Sequence, residues 1–180
     1  MVPVIHHVKR LMRETRDTFN MELVNLEGGT HSFLPGQFSM LYVFGMGEVP
    51  ISISGDPSNS ESLLYTIRDV GTVTHALHGL KVGNAVGVRG PFGSHWDLNK
   101  AQGKDVMVIA GGIGLAPLRP AIYSLIANRD KYNRIIILYG VRTPRDILFA
   151  RELEHWRGNF DLDVEITVDR ARREWRGKVG

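Results

Sequence analysis

The sequence predicts a β-barrel joined to an α/β unit: an antiparallel six-stranded barrel, then a parallel-sheet domain. Two observations carry this. Sixteen of the 20 glycines lie between Gly28 and Gly114, so turns cut the first half into short segments. Beyond Lys104 the pattern changes to short apolar runs alternating with apolar residues at helical spacing. At 43% hydrophobic and 23% charged over 180 residues, the chain has globular composition, which excludes disorder and fibrous repeats.

In the first half, Val4 to Met12, Thr18 to Val24, Gln37 to Val43, Pro50 to Ser54, Leu63 to Arg68 and Ala85 to Arg89 read as strands. Turn signals link them at Glu27-Gly28-Gly29, Leu34-Pro35-Gly36, Gly55-Asp56-Pro57 and Lys81-Val82-Gly83. Strands at this spacing form a small barrel. One helix interrupts them at Val73 to Gly79, with Thr72 or Thr74 as N-cap and Gly79 as C-cap. In the second half, Asp105 to Ala110 is a continuous apolar strand, Leu115 to Asn128 a helix and Arg134 to Tyr139 a buried strand. Arg145 to Trp156 is an amphipathic helix and Leu162 to Val168 a third strand. Strand–helix alternation means a parallel sheet with right-handed crossovers. The boundary falls at Lys100 to Lys104, giving domains over residues 1–101 and 102–180.

Composition narrows the function. Net charge is +3, and its excess lies in Arg170, Arg172, Arg173, Arg176 and Lys178 at the end of the chain. A basic end is not the distributed basic face of a nucleic-acid binder. There is no cysteine, which excludes disulfides, thiolate zinc sites and an iron–sulfur cluster within this chain. No apolar run is long enough for a membrane span, and Met1 to Val8 is strand-like, so a cytoplasmic location is expected. His75 and His78 share a helical face but have no carboxylate or third ligand near them in sequence, so no metal site is expected.

The chemistry-bearing segments come in order. Leu34-Pro35-Gly36-Gln37-Phe38 precedes Val49-Pro50-Ile51-Ser52; Gly71-Thr72-Val73-Thr74 follows, then Gly90-Pro91-Phe92-Gly93. Gly111-Gly112-Ile113-Gly114-Leu115-Ala116-Pro117 sits at a strand-to-helix junction, where bare backbone and free N–H groups favour a phosphate. Pro117 stands where the dinucleotide fingerprint has its third glycine. The alternative reading is a tight turn with proline in the first helical turn.

Taken together and in this order, these residues resemble the ferredoxin–NADP reductase superfamily. They are most similar to the flavin subunits of soluble hydrogenases, sulfite reductases and dihydroorotate dehydrogenase electron-transfer complexes. The resemblance implies a barrel that holds FAD, followed by an NAD(P)-binding domain. Ser52 matches the residue that faces flavin N5, where hydride arrives, and is the catalytic candidate. Ile51 takes the place of the family's tyrosine, with Pro50 beside it, and Val49 replaces an arginine that pairs with flavin phosphate. Gly71, Thr72, Val73 and Thr74 match the turn that receives the flavin pyrophosphate. Tyr65, Thr66 and Arg68 would lie near the same cofactor, Arg68 standing in for the missing arginine or remaining a solvated charge.

Gly111, Gly112, Gly114 and Pro117 match the loop for the NAD(P) pyrophosphate. Arg142 matches the adenosine-ribose region, where a guanidinium would attract a 2′-phosphate and lean towards NADP, or would simply pair with Asp146. Asp146 and Glu152 read as caps or solvated charges, and Phe92 as core packing or flavin contact. Relatives continue with further strands, and the resemblance implies that the fourth and fifth strands are absent here, leaving Asp105 to Ala110 as an unpaired edge. Two readings follow. One is an electron-transfer subunit passing hydride between NAD(P)H and FAD and electrons to an iron–sulfur or other partner acceptor. The other is a shortened FAD-binding scaffold or relay without productive NAD(P)H oxidation.

Overall fold

The computed structural model describes residues 2–180; Met1, the first residue of the expected barrel domain, lies outside them. Strands β1 (Val4–Arg13), β2 (Thr18–Val24), β3 (Phe38–Val43), β4 (Gly47–Ser52), β5 (Leu63–Arg68) and β6 (Ala85–Phe92) form one antiparallel sheet in the order β4-β3-β6-β1-β2-β5. Alternate side chains turn inward, as the two-residue period of a strand requires. Met21 and Leu23 of β2, Leu41 of β3, Tyr65 and Ile67 of β5 and Val86 of β6 are fully buried. Leu77, on helix α1 (Thr72–His78), joins that core.

The sheet curls until its outer strands meet at one point. A single bridge joins Ile53, just past β4, to Tyr65 of β5. Away from that bridge β4 and β5 form no ladder among the described residues. The barrel is therefore closed by hydrogen bonds at one end of a seam and unpaired along the rest of it, where α1 packs against β4, with Val73 3.7 Å from the place of a Gly47 Cβ.

The α1 N-cap is Gly71, rather than Thr72 or Thr74; Gly79 is the C-cap as expected. Thr74 works from within the first turn. Its Oγ1 accepts from the backbone N–H of Val70 (3.0 Å) and Gly71 (2.9 Å) and donates to the Gly71 carbonyl (2.9 Å).

The second half is a parallel sheet in the order β10-β9-β8-β7, built from β7 (Val106–Gly111), β8 (Ile135–Val141), β9 (Asp163–Val168) and the short β10 (Lys178–Val179). Helix α2 (Leu115–Ala127) follows β7 and helix α3 (Ala150–Asn159) follows β8. Ile135, Ile137, Tyr139 and Val141 alternate into a core shared with Ile122 and Leu125 of α2 and Leu153 and Trp156 of α3. The continuous apolar run of β7 does not mean burial on both faces. Met107 and Ile109 are 55% and 67% exposed, because the helices cover only the face carrying Val108 and Ala110. Strand β10 was not anticipated; it extends the sheet beyond β9 and leaves β7 at the other edge.

The expected helix Arg145 to Trp156 starts late. Pro144–Asp146 form a 3-10 turn, and α3 begins only at Ala150, behind Phe149 in the left-handed region at φ 55°. Among the described residues no helix is long and apolar enough to cross a membrane.

One feature of the barrel sets a pH dependence. His6 of β1 is buried, and its ring lies 5.0 Å from that of His31. The Nε2 atoms of both are buried without a partner. Burial holds both imidazoles below the ordinary value of 6.5, and His31 and His7 add charge repulsion at His6. The folded state thus binds fewer protons than the unfolded chain in this range, so stability rises with pH. The contribution is complete above pH 6.5 and is lost as pH falls through the lower folded values. Denaturant titrations between pH 4.5 and 7.5 are expected to show a slope that His6→Gln reduces; an identical slope in that variant would exclude His6 as its source.

Candidate functional site

The unpaired seam starts beside Ser52. Val49 and Ile51 turn into the barrel and pack against its core. Both are only half-buried, and by alternation Pro50 and Ser52 point to the other face of the strand. On the other side, Tyr65 and Thr66 are buried and leave the site. Tyr65 donates its hydroxyl to Ser39 Oγ (3.0 Å). Thr66 donates to Asn20 Oδ1 (2.8 Å) and meets Ser54 Oγ at 2.8 Å. Sequence placed both on the correct strand but could not tell which way the strand faced.

The seam runs towards the first turn of α1. With Thr74 engaged in its own cap, the Thr72 hydroxyl and the first backbone N–H groups of the helix are what remain for an anion. Arg68 ends β5. Its Nε lies 3.5 Å from Asp17 Oδ2 yet makes no hydrogen bond and is buried without a partner. The contact is a loose ion pair with Asp17, and the Arg68 side chain as a whole is 36% exposed. Its charge also reaches Tyr139, whose hydroxyl burial pushes up to about 12, with Arg68 opposing.

Tyr139 connects this region to the glycine-rich loop, because its hydroxyl donates to the Gly112 carbonyl (3.0 Å). Gly112 has φ +52°, a conformation that favours glycine. At Gly111, Gly112 and Gly114 an added Cβ would meet nothing within 4 Å. Protein packing does not exclude side chains there; their absence leaves bare backbone facing open space, as close approach of a pyrophosphate requires. Pro117 lies in the first turn of α2, where its missing N–H has no intrahelical partner to lose.

Arg142 follows β8 and lies 3.4 Å from Asp146 Oδ1, so the surface pair exists, with Arg142 exposed. An open groove of about 660 Å³ adjoins it, lined by Arg145, Arg170, Arg172 and Trp175 among others. The sequence marked these arginines only as a basic end. The fold brings Arg170 to Arg142, its N–H donating to the Arg142 carbonyl (3.0 Å), at the carboxyl ends of the strands where such sheets bind ligands. Phe92 packs beside Phe38 at 5.8 Å between ring centroids. Unlike the sequence reading, the structure does place a carboxylate by His75 and His78: Asp69 Oδ2 lies 3.2 and 3.0 Å from their Nδ1 atoms. Even so, among the described residues no cluster is arranged to hold a metal ion.

Two residues at the junction were missed or misread. Arg119, in α2, is 6% exposed. It donates to the Ser54 carbonyl (2.7 Å), to both carboxylate oxygens of Glu152 (2.7 and 3.0 Å) and to the Tyr123 hydroxyl (2.7 Å). Its guanidinium stacks 4.0 Å from the Phe149 ring centroid. Glu152, read as a cap or solvated charge, is its ion-pair partner and also accepts from Tyr123. Burial raises the Tyr123 hydroxyl, Arg119 opposing and Glu152 adding.

Residues 108–180 match the family described as an oxidoreductase NAD-binding domain. The chain is 39% identical to the sulfhydrogenase 1 subunit gamma of Pyrococcus furiosus, over 98% of its own length and 63% of the relative's. It is 34% identical to a probable dihydroorotate dehydrogenase B (NAD(+)) electron transfer subunit of Methanocella arvoryzae, over 83% and 52%. It thus spans less than two thirds of these relatives. Among solved structures it superposes with a TM-score of 0.86 on the flavohem-like FAD/NAD binding domain of a nitric oxide dioxygenase from Vibrio cholerae, at 19% identity, over 99% of this chain and 78% of that one.

Proposed function

Since the chain belongs to the ferredoxin–NADP reductase-like superfamily of NAD-binding oxidoreductases, we propose that it is a flavoprotein electron-transfer subunit, with FAD on residues 1–101 and NAD(P)H on residues 102–180. One observation carries the reading. The barrel's unpaired seam lies between β4, which ends at Ser52, and β5, which ends at Arg68, whose Nε is buried without a hydrogen bond and which leads into the Gly71 turn.

The residues present fit the groups. Pro50 and Ser52 line the outward side of β4, and the Ser52 hydroxyl is the donor or acceptor available at the reacting edge of a flavin ring. Thr72, Val73 and the Gly71 turn, with Arg68, suit its pyrophosphate, and Arg68 supplies the charge that Val49 lacks. Gly111, Gly112, Gly114 and Pro117 suit the pyrophosphate of the nicotinamide dinucleotide, and Arg142 with the arginine-lined groove suits its adenosine end. When bound, FAD supplies hydride acceptance at N5 and release of electrons one at a time. The electrons pass to a partner subunit's acceptor, in keeping with relatives named as subunits. We place this chemistry in the cytoplasm.

The test is to load the chain with FAD, remove the excess, and titrate anaerobically with NADH and NADPH. Bleaching of bound flavin within seconds supports the subunit reading. Stable oxidised flavin under both nucleotides returns the scaffold reading. Arg142→Ala is expected to raise the dissociation constant for NADPH about 10-fold more than that for NADH, consistent with loss of one guanidinium–phosphate pair. An unchanged NADPH-to-NADH ratio would remove the preference.

A further inference from the structure

A closed circuit of polar contacts joins the two halves. Thr66 uses its single proton on Asn20 Oδ1, so in the 2.8 Å contact Ser54 Oγ is the donor, its one proton shared between Thr66 and the Leu64 carbonyl at 3.3 Å. Asn20 Nδ2 donates in turn to Glu14 Oε2 (2.7 Å). The other oxygen of Glu14 accepts the backbone N–H of Phe149 (2.7 Å), the residue at φ 55° that starts α3. One turn into α3, Glu152 holds Arg119, and Arg119 returns to the Ser54 carbonyl. Ser54 lies two residues beyond Ser52, and Arg119 two residues beyond Pro117. The circuit thus begins and ends at the flanks of the seam and of the glycine loop.

We infer that Arg119 is a positioning residue: through Ser54, Glu152 and Phe149 it fixes the nicotinamide-binding loop against the flavin-binding seam. The functional half of this rests on the reading above. The physical reason is directional. A guanidinium presents donors in a rigid planar fork, so one side chain can hold a carbonyl, a carboxylate and a hydroxyl at fixed angles. A buried ion pair adds little net stability but is costly to break on one side, so it selects one arrangement of the elements around it. Phe149 shows the same hold, because a bulky residue persists at positive φ only where its surroundings impose it.

The chain's lack of cysteine allows a direct test. Spin labels at Lys81→Cys and Asp130→Cys, both exposed, report the distance between the halves without any cofactor. The parent protein is expected to give one narrow distribution, and Arg119→Ala and Glu152→Gln broad ones. Arg119→Lys keeps the charge but not the fork and is expected to be as broad as Ala; a narrow distribution in the Lys variant would overturn the directional argument. An unchanged distribution in folded Arg119→Ala would overturn the proposal. Should that variant not fold, Glu14→Gln opens the other arm of the circuit, and the same two outcomes decide. In FAD-loaded protein, Arg119→Ala is expected to slow flavin reduction by NADH about 100-fold, as a misplacement near 1 Å does, with both dissociation constants unchanged. If the parent protein is not reduced at all, the functional reading fails, while the distance measurement still decides the positioning role.

Discussion

Arg68→Glu is expected to weaken FAD binding about 100- to 1000-fold, which corresponds to about 3–4 kcal/mol. The cation it removes has no hydrogen bond, and its Nε is buried without a partner beside the unpaired seam. Its neighbour Asp17 is already held below the ordinary carboxylate range. Burial opposes that shift, but hydrogen bonds from Thr18 and Thr15, and then the charge of Arg68, outweigh it. The two hydroxyls both donate to Asp17 Oδ1, while Oδ2 faces Arg68 Nε at 3.5 Å, too far for a hydrogen bond, so the donors of Arg68 remain available to an anion. Reversal would set a carboxylate against a pyrophosphate in a partly desolvated site, where loss of a paired charge costs several kcal/mol. Reversal also sets a carboxylate near Asp17 Oδ2, so folding stability should fall as well, and Arg68→Gln, which removes the charge without reversing it, is expected to lose FAD affinity with a smaller loss of stability. Arg68→Lys should recover part of the affinity, since an ammonium keeps the charge without the bidentate fork. Calorimetric titration with FAD decides: equal affinity in the Glu variant would remove Arg68 from the site.

Gly112→Val is expected to cut affinity for NADH at least 100-fold and to leave FAD binding intact. Two effects combine. A β-branched residue at φ +52° strains the loop by about 1–2 kcal/mol. Its side chain also enters the open space above the loop, where the dinucleotide would approach. Gly103→Val separates the two, because Gly103 has φ +72° and equally open surroundings but lies before β7, outside the loop. That control should lose stability and keep NADH affinity. Equal nucleotide losses in the two variants would mean that strain, not occupancy of the loop, was being measured.

How far the sequence reached depended on how local the determining forces were. Strands Thr18–Val24 and Leu63–Arg68 have the bounds that their turns and alternation predict. So does the start of α2 at Leu115, which directly follows the glycine loop. The start of α3 was not legible, because Phe149 is held by Glu14, 135 positions earlier in the chain. Tyr65 and Thr66 were assigned to the right strand, but as successive residues they face opposite ways. Tyr65 points into the barrel to Ser39, whereas Thr66 points outward to Asn20 and Ser54, where the second half covers it. Arg119 carries no signal in the sequence beyond one charge in an apolar helix, and Glu152 reads there as a cap or solvated charge. Their pairing needs α2, α3 and the end of β4 together, which no local pattern encodes.

The claim on which the rest depends is that flavin occupies the seam between β4 and β5. Amide hydrogen exchange with and without FAD tests it residue by residue. Protection is predicted over residues 49–53 and 67–74, with residues 135–141 of β8 unchanged. Absence of added protection at the seam, or protection confined to the second half of the chain, would contradict it.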